Sequence, residues 1–118
     1  VIWREHVSDA ELVGLYNGAF ATLWCSSYEG FGLPVLESMA CGTPVITSPK
    51  GSLPEIAGDA AMYVAHPENP AEISGALTHL TRFGSYYNEL VEKGLLRVQY
   101  FSWQKTAKQT LDKIFELD

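Results

Sequence analysis

Three short apolar runs, separated by amphipathic segments, constrain the fold of this chain more than any other feature of its sequence. FATLWCS (20–26), TPVITS (43–48) and AAMYVA (60–65) have the length of strands. Continuous apolar runs of this kind are typical of strands that are covered on both faces. Strands that alternate with helices predict an α/β domain built on a parallel sheet with right-handed crossovers. VIW (1–3) predicts one more short strand.

Capping residues mark where the first helices begin and end. SDAELVGLYNGA is predicted to be a helix with Ser8 as its cap and Glu11 as the partner in a capping box. LPVLESMAC is predicted to be a short helix with Pro34 in its first turn and Gly42 as its stop.

The same reasoning covers the second half of the chain. Ser52 and Glu55 predict a second capping box and a short helix, and Asn69 with Pro70 predicts the start of a helix that ends near residue 82. Two further helices are predicted near 85–98 and 102–117. One side of the last helix is apolar and is expected to be buried, either in the core or against another part of the protein; it carries Trp103, Ala107, Leu111, Ile114 and Phe115.

Composition limits the class of protein. The 118 residues are enough for one domain, and 47% apolar with 19% charged residues is typical of a globular chain. The formal net charge of −6 argues against a nucleic-acid binder, which needs a basic surface. Cys25 and Cys41 are interpreted as buried free thiols, as expected in the cytosol, and there is no apolar run long enough to span a membrane.

The segment Ser26–Leu33 follows the first predicted buried strand and leads into a helix. Ligands of parallel α/β sheets bind at the carboxyl ends of the strands, where such loops lie. Gly30 and Gly32 would let backbone N–H groups approach a ligand, and the helix start contributes about half a positive charge. The loop therefore predicts a phosphate-sized anion site. The alternative is that both glycines serve only a tight turn.

Two carboxylates flank the glycine-rich part of this loop, Glu29 just before Gly30 and Glu37 inside the helix. Glu37 lies about four residues into the helix, hence roughly 6 Å along the axis, which suits a carboxylate that accepts hydrogen bonds from a ribose diol while the helix start faces a diphosphate. Glu29 could bind a sugar and stabilise an oxocarbenium-like centre. The alternatives for Glu37 are an exposed surface glutamate or a partner of the helix dipole.

These residues resemble a known family. Glu29, GFGLPVL and Glu37 resemble the E-x7-E signature of retaining nucleotide-sugar glycosyltransferases of the GT-B fold, family 4. VSDAELVGLYNGA, GSLPEIAGDAAMYV and FSWQKTA resemble the same family in order and spacing. The resemblance implies a Rossmann-like parallel sheet with flanking helices over residues 1–118, as a partial carboxyl-terminal domain that binds the donor.

The resemblance also implies roles for single residues. Glu37 would bind the ribose hydroxyls, Glu29 would lie near the transferred sugar as the catalytic residue, and the donor would contact the backbone of Gly30, Phe31, Gly32 and Leu33. The base would be held by backbone near residues 4–7. No D-x-D pair is present in the sequence, and neither a metal nor another cofactor is implied.

The same resemblance implies a longer protein. In the family's strand order, 3-2-1-4-5-6, this chain would supply strand 3 as VIW and strands 4 to 6, while the acceptor-binding domain and the basic residues that contact the diphosphate would lie elsewhere. VIW would then lack its neighbour, and we expect either self-association or pairing of VIW with the free edge of FATLWCS. The chain alone is expected to be inactive.

Two functions remain open at this point. The first is transfer of a sugar from a nucleoside diphosphate sugar to a saccharide or lipid-linked acceptor, in the cytoplasm or at the membrane surface through the absent domain. The second is a non-catalytic module that binds nucleotide sugars or regulates. Lys50 could face a phosphate but is more typical of a solvated loop, and Glu55 is explained by its capping box. The three histidines, His6, His66 and His79, lack companion ligands for a metal.

Overall fold

Six helices and three strands alternate along the part of the chain that the computed structural model describes, residues 1–116. In chain order they are α1 (Asp9–Gly18), β1 (Thr22–Trp24), α2 (Leu33–Ala40), β2 (Val45–Thr47), α3 (Leu53–Ala57), β3 (Met62–Tyr63), α4 (Pro70–Arg82), α5 (Gly84–Val98) and α6 (Trp103–Glu116). The predicted segments are all present except VIW. The last predicted helical residue, Leu117, lies outside the described residues.

The three strands form one parallel sheet in the order β1-β2-β3. Leu23 of β1 is paired with Ile46 of β2, which in turn is paired with Met62 of β3. Each strand is separated from the next by a helix, so the predicted α/β class with a Rossmann-like parallel sheet and flanking helices is confirmed.

The side chains of neighbouring residues of β2 pack into the core on opposite faces of the sheet. Val45 packs with residues of α2 and α3, whereas Ile46 packs with Ala76 and Leu80 of α4 and with Leu90 of α5. Alternation of side chains along a strand explains the division. All three residues of β2 are buried, as predicted, but Leu23 in β1 is 45% exposed, so the expectation that FATLWCS is covered on both faces was wrong.

Helix α5 approaches α2 closely because Gly94 has no side chain. A Cβ atom at Gly94 would lie 3.1 Å from Cγ and 3.3 Å from Cβ of Met39. Met39 is almost fully buried and has little room to move. The position of α2, and with it the loop that precedes α2, therefore depends on this glycine.

One of the two predicted capping boxes is correct. The Ser8 backbone N–H donates to Glu11 Oε2 at 2.8 Å, and the Glu11 N–H donates to Ser8 Oγ at 3.2 Å. The backbone bond, followed by one from the Ser8 hydroxyl, lowers the pKa of Glu11. The second box was wrong: Ser52 precedes α3 but makes no capping bond, since its φ of −78° and ψ of −11° are helical rather than extended.

The strand predicted at VIW does not form. Residues 1–3 are exposed and pair neither with β1 nor with another strand among the described residues. Three residues without an adjacent strand form too few hydrogen bonds to offset the entropy of ordering them. The expected pairing of VIW with the edge of β1 is therefore wrong for this structure, and self-association stays a prediction.

Helix α6 has the predicted apolar side but buries none of its residues. Trp103 is 77% exposed and Phe115 is 69% exposed. Phe101, just before the helix, and Trp24 pack against the core beside α2, as expected of core aromatics. Within residues 1–116, no helix is both long and apolar enough to cross a bilayer.

We expect Gly94→Ala to lower the free energy of unfolding by about 1 kcal/mol, because the new methyl group would overpack against Met39 and outweigh the gain in helix propensity. Thermal or urea unfolding of the variant measures this. Gly75→Ala is the matched control: Gly75 lies in α4 with nothing within 4 Å of its added Cβ. That variant should be more stable by about 0.5 to 1 kcal/mol. Equal stabilisation of both variants would contradict close packing at Gly94.

Candidate functional site

The loop between β1 and α2 is held by hydroxyl groups of the segment after β2. Thr47 Oγ1 donates to the carbonyl of Trp24 at 2.6 Å, and Ser48 Oγ donates to the carbonyl of Ser26 at 2.6 Å. Both hydroxyls are fully buried. They satisfy carbonyl groups just where the strand pairing ends, so the first residues of the loop are fixed relative to the sheet.

Ser52 holds the middle of the same loop. Its hydroxyl lies 2.9 Å from the carbonyl oxygen of Phe31 and 3.3 Å from that of Glu29, to both of which it can donate. Gly51 has a φ of +58°, and an added Cβ there would lie 3.3 Å from the Glu29 backbone nitrogen. Sequence reasoning missed this role of Ser52 because its S-x-x-E spacing was interpreted as a cap.

At the start of α2, Gly32 is buried, whereas Gly30, Phe31 and Leu33 are exposed. Gly32 is the N-cap residue of α2, with a left-handed φ of 99°, and no side chain caps the helix. The N–H groups of Gly30, Phe31, Gly32 and Leu33 donate no hydrogen bond within residues 1–116. Amides at a helix start attract anions through their partial positive charge. The backbone N–H groups of the predicted anion site thus have no acceptor in the described chain, and the site itself stays a prediction.

Glu37 lies on α2, exposed, and accepts a hydrogen bond from the hydroxyl of Tyr16 in α1 at 3.0 Å. A cavity of about 260 Å³ lies between the two helices; it is lined by Asp9, Leu12, Val13, Tyr16, Glu37, Ala40 and Cys41. Tyr16 was not predicted from the sequence. Its contact with Glu37 depends on how α1 packs on α2, and no local motif reports that packing.

The Tyr16 hydroxyl has a defined protonation state at neutral pH. Partial burial, and then the hydrogen bond and negative charge of Glu37, raise the pKa of Tyr16 to about 12. The phenol therefore stays protonated and donates to the carboxylate throughout the physiological range. One oxygen of Glu37 is engaged, and the other has no hydrogen-bond partner in the described part of the chain.

Glu29 is half-buried on the other side of the loop. It lines an open cavity of about 290 Å³ with Leu23, Trp24, Cys25 and Ser26, at the carboxyl end of β1. The free edge of β1 is therefore next to this carboxylate. Glu29 and Glu37 border different cavities, so the loop and the start of α2 lie between the two acids.

The two apolar residues of the predicted site lie along a third cavity. Phe31 and Leu33 border an apolar space of about 200 Å³, which is also lined by Leu36, Phe101, Ser102, Trp103 and Thr106. The rings of Phe31 and Phe101 are 6.0 Å apart and nearly perpendicular. The side chain of Phe31 thus contacts the segment before α6, while its backbone N–H is without an acceptor.

Two of the three histidines make their side-chain contacts outside the loop 26–33. His66 Nδ1 is 3.5 Å from Glu68 Oε1, and His79 packs against Phe83 and Tyr86. Residues 1–116 contain no group of three side chains able to hold a metal ion. Cys25 and Cys41 are free thiols, as predicted. Each is half-buried, however, whereas both were expected to be buried.

Comparison with known proteins identifies the family. The glycosyl transferases group 1 family matches residues 1–97. O-antigen chain mannosyltransferase B of Escherichia coli is 39% identical over 107 residues, which cover 91% of this chain and 28% of that protein. MMP alpha-(1->4)-mannosyltransferase of Mycolicibacterium hassiacum is 38% identical over 109 residues, covering 89% of this chain and 26% of that protein.

A solved structure supports the same assignment. Sucrose-phosphate synthase from Thermosynechococcus elongatus superimposes with a TM-score of 0.72 at 30% sequence identity, over 94% of this chain and 29% of that one. The chain thus spans little more than a quarter of the length of these relatives. Because the family match extends from residue 1 to residue 97 and includes the whole loop with both acids, the chain belongs to the glycosyl transferases group 1 family.

Proposed function

We propose that this chain is the donor-binding part of a retaining glycosyltransferase of the GT-B fold, family 4, and that it occupies the carboxyl-terminal domain of a longer protein. The observation that carries the proposal is the uncapped start of α2, with free N–H groups at 30–33 and an acid on each side. The donor is a nucleoside diphosphate sugar, and the acceptor is a saccharide or lipid-linked sugar bound mainly by another domain.

The diphosphate binds at the start of α2. The N–H groups of residues 30–33 donate to its oxygens, and the helix dipole favours its negative charge. When the bond between the anomeric carbon and the diphosphate breaks, the electron pair moves onto a phosphate oxygen. Donors already oriented at that position stabilise the leaving group without reorganising. Basic residues of the longer protein add to this.

Glu37 binds the ribose. A carboxylate can accept both hydrogen bonds of a vicinal diol, and Glu37 lies one turn beyond the amides that face the diphosphate. The cavity between α1 and α2 adjoins this side chain. Glu29, on the opposite side of the loop, lies next to the transferred sugar, where its charge stabilises an oxocarbenium-like anomeric centre. The acceptor hydroxyl attacks from the face that the diphosphate leaves and passes its proton to the departing diphosphate oxygen, so the configuration is retained.

The names of two relatives suggest which sugar to test first. Both curated relatives described above are mannosyltransferases, so mannosyl donors of guanosine, uridine and adenosine diphosphate form the first substrate panel. No step of this proposal requires a metal ion or another cofactor.

The two acids are expected to separate chemistry from binding. In the complete protein, Glu29→Gln should lower turnover by on the order of 100-fold, with nucleoside diphosphate affinity nearly unchanged, because the side chain acts on the sugar. Glu37→Gln should weaken nucleoside diphosphate binding by about tenfold, because a charge-assisted hydrogen bond to ribose is lost. Transfer assays and calorimetric titration with the panel measure both effects.

Glu92→Gln is the control, since Glu92 is exposed on α5 and its side chain makes no hydrogen bond among the described residues. It should change neither turnover nor affinity. Unaltered turnover in Glu29→Gln would reject the catalytic role of Glu29, and absence of transfer by the unaltered complete protein would favour the non-catalytic module. Unaltered nucleotide affinity in Glu37→Gln would remove its role in ribose binding.

Ser52→Ala should weaken binding of the diphosphate. Without the hydroxyl, the carbonyl groups of Glu29 and Phe31 lose their donor, and the loop must be ordered again by each ligand. We expect about a threefold to tenfold rise in the Kd for nucleoside diphosphates. Ser27→Ala is the matched control in the same loop, because the Ser27 side chain makes no hydrogen bond within residues 1–116. Equal effects of the two variants would argue against a specific role of Ser52.

A further inference from the structure

Tyr16 and Glu37 form a hydrogen bond between helices α1 and α2. Helix α1 buries none of its residues, yet the Tyr16 hydroxyl donates to Glu37 Oε2 at 3.0 Å across 21 positions of sequence. An exposed glutamate in a helix ordinarily samples several rotamers in water. Here one carboxylate oxygen accepts a hydrogen bond from the hydroxyl of the half-buried Tyr16, which restricts the rotamers that Glu37 can adopt.

The backbone of Tyr16 is itself held by hydrogen bonds. Thr43 Oγ1 donates to the backbone carbonyl of Tyr16 at 2.6 Å, and Ser38 Oγ lies 3.0 Å from the carbonyl of Thr43 and 2.8 Å from Thr22 Oγ1. Thr43 and Ser38 are both buried. These hydrogen bonds connect the end of α1 to α2 and to β1, and they fix the backbone of Tyr16 relative to the sheet.

The direction of the hydrogen bond is also fixed. Because the phenol beside Glu37 stays protonated at neutral pH, it donates to the carboxylate and does not compete with it for a ligand's hydroxyl protons. Glu37 Oε1 has no partner within the described residues, and Oε2 retains a second acceptor site. Both side chains line the cavity between α1 and α2. The acceptors available to a ligand therefore lie at one edge of this cavity.

We propose that Tyr16 is a positioning residue for ribose recognition, which holds Glu37 in the rotamer that accepts hydrogen bonds from the 2′ and 3′ hydroxyls of the donor nucleotide. The inference rests on the proposed function of Glu37. Tyr16 preorganises the Glu37 side chain for binding. Without the Tyr16 hydroxyl, ribose binding must itself order that side chain, and the entropy cost lowers the affinity. Nucleotides that lack the diol do not engage Glu37 and are insensitive to Tyr16.

The test compares nucleotides with and without the diol. The probes are guanosine, uridine and adenosine diphosphates, each paired with its 2′,3′-dideoxy analogue, titrated calorimetrically into the complete protein. In the unaltered protein, the diol should strengthen binding. Tyr16→Phe should weaken binding of the ribose form by about threefold to tenfold and leave the Kd of the dideoxy form within about twofold.

A double-mutant cycle separates this role from general stabilisation of the site. In a Glu37→Ala background, adding Tyr16→Phe should cause no further loss of ribose affinity, because the carboxylate that Tyr16 orients is gone. Tyr87→Phe is the matched control: it also removes one phenol hydroxyl, which donates to the carbonyl of Phe20 at 3.0 Å, in a contact that does not involve Glu37. It should leave the preference for ribose unchanged.

The outcomes separate the proposed role of Glu37 in ribose binding from the proposed role of Tyr16 in positioning Glu37. If the unaltered protein binds ribose and dideoxyribose forms equally, or binds none of the probes, the proposed function of Glu37 fails and this inference fails with it. If Glu37→Ala abolishes the preference for ribose but Tyr16→Phe retains it, the role of Tyr16 is overturned while that of Glu37 stands. Equal weakening of both forms by Tyr16→Phe would show a purely structural role. Should Tyr16→Phe not fold, Tyr16→Leu provides the same comparison.

Discussion

Parallel pairing of β1 with β2 is the interaction on which the candidate site depends. The pairing ends at Trp24 and Thr47, and beyond it two buried hydroxyls, of Thr47 and Ser48, continue to bind the carbonyl groups of the β1 strand and its loop. A parallel ladder leaves backbone acceptors at its carboxyl end, where the chain turns away. The hydroxyls of Thr47 and Ser48 donate to two of those acceptors. They keep the loop backbone in place and leave its N–H groups free.

Local patterns were sufficient to predict the elements that surround the site. The apolar runs, the proline in the first turn of α2 and the Ser8 box each report an interaction within a few residues, and each of these elements is present. The S-x-x-E pattern at Ser52 failed for a local reason: the left-handed Gly51 before it places Ser52 in a helical conformation, from which its hydroxyl reaches the 29–31 loop instead of the helix start. Sequence spacing alone does not contain that turn geometry.

Burial and contacts between helices were less predictable, because they depend on what lies next to a segment. VIW and the apolar side of α6 have the composition of buried elements, yet both are exposed among residues 1–116. Likewise, the hydrogen bond between Tyr16 and Glu37 arises from the packing of α1 on α2, which no motif within either helix specifies. The site residues of the loop were predicted by position, whereas the residues that hold them, Ser52 and Tyr16, were found only in the structure.

The start of α2 differs in its local charge from the protein as a whole. The protein carries a net charge of −6, yet the start of α2 has no acid in its first turn and no capping side chain. Its partial positive charge is therefore not neutralised by its own helix. Glu37 lies about one turn further into the helix, where the effect of the dipole has fallen off, and its Oε2 accepts a hydrogen bond from Tyr16 in α1. Glu29 lies beyond the loop, beside β1. Two acids thus border the predicted anion site without occupying it, and this separation is what the proposed binding of a diphosphate, with neutral hydroxyls on either side of it, requires.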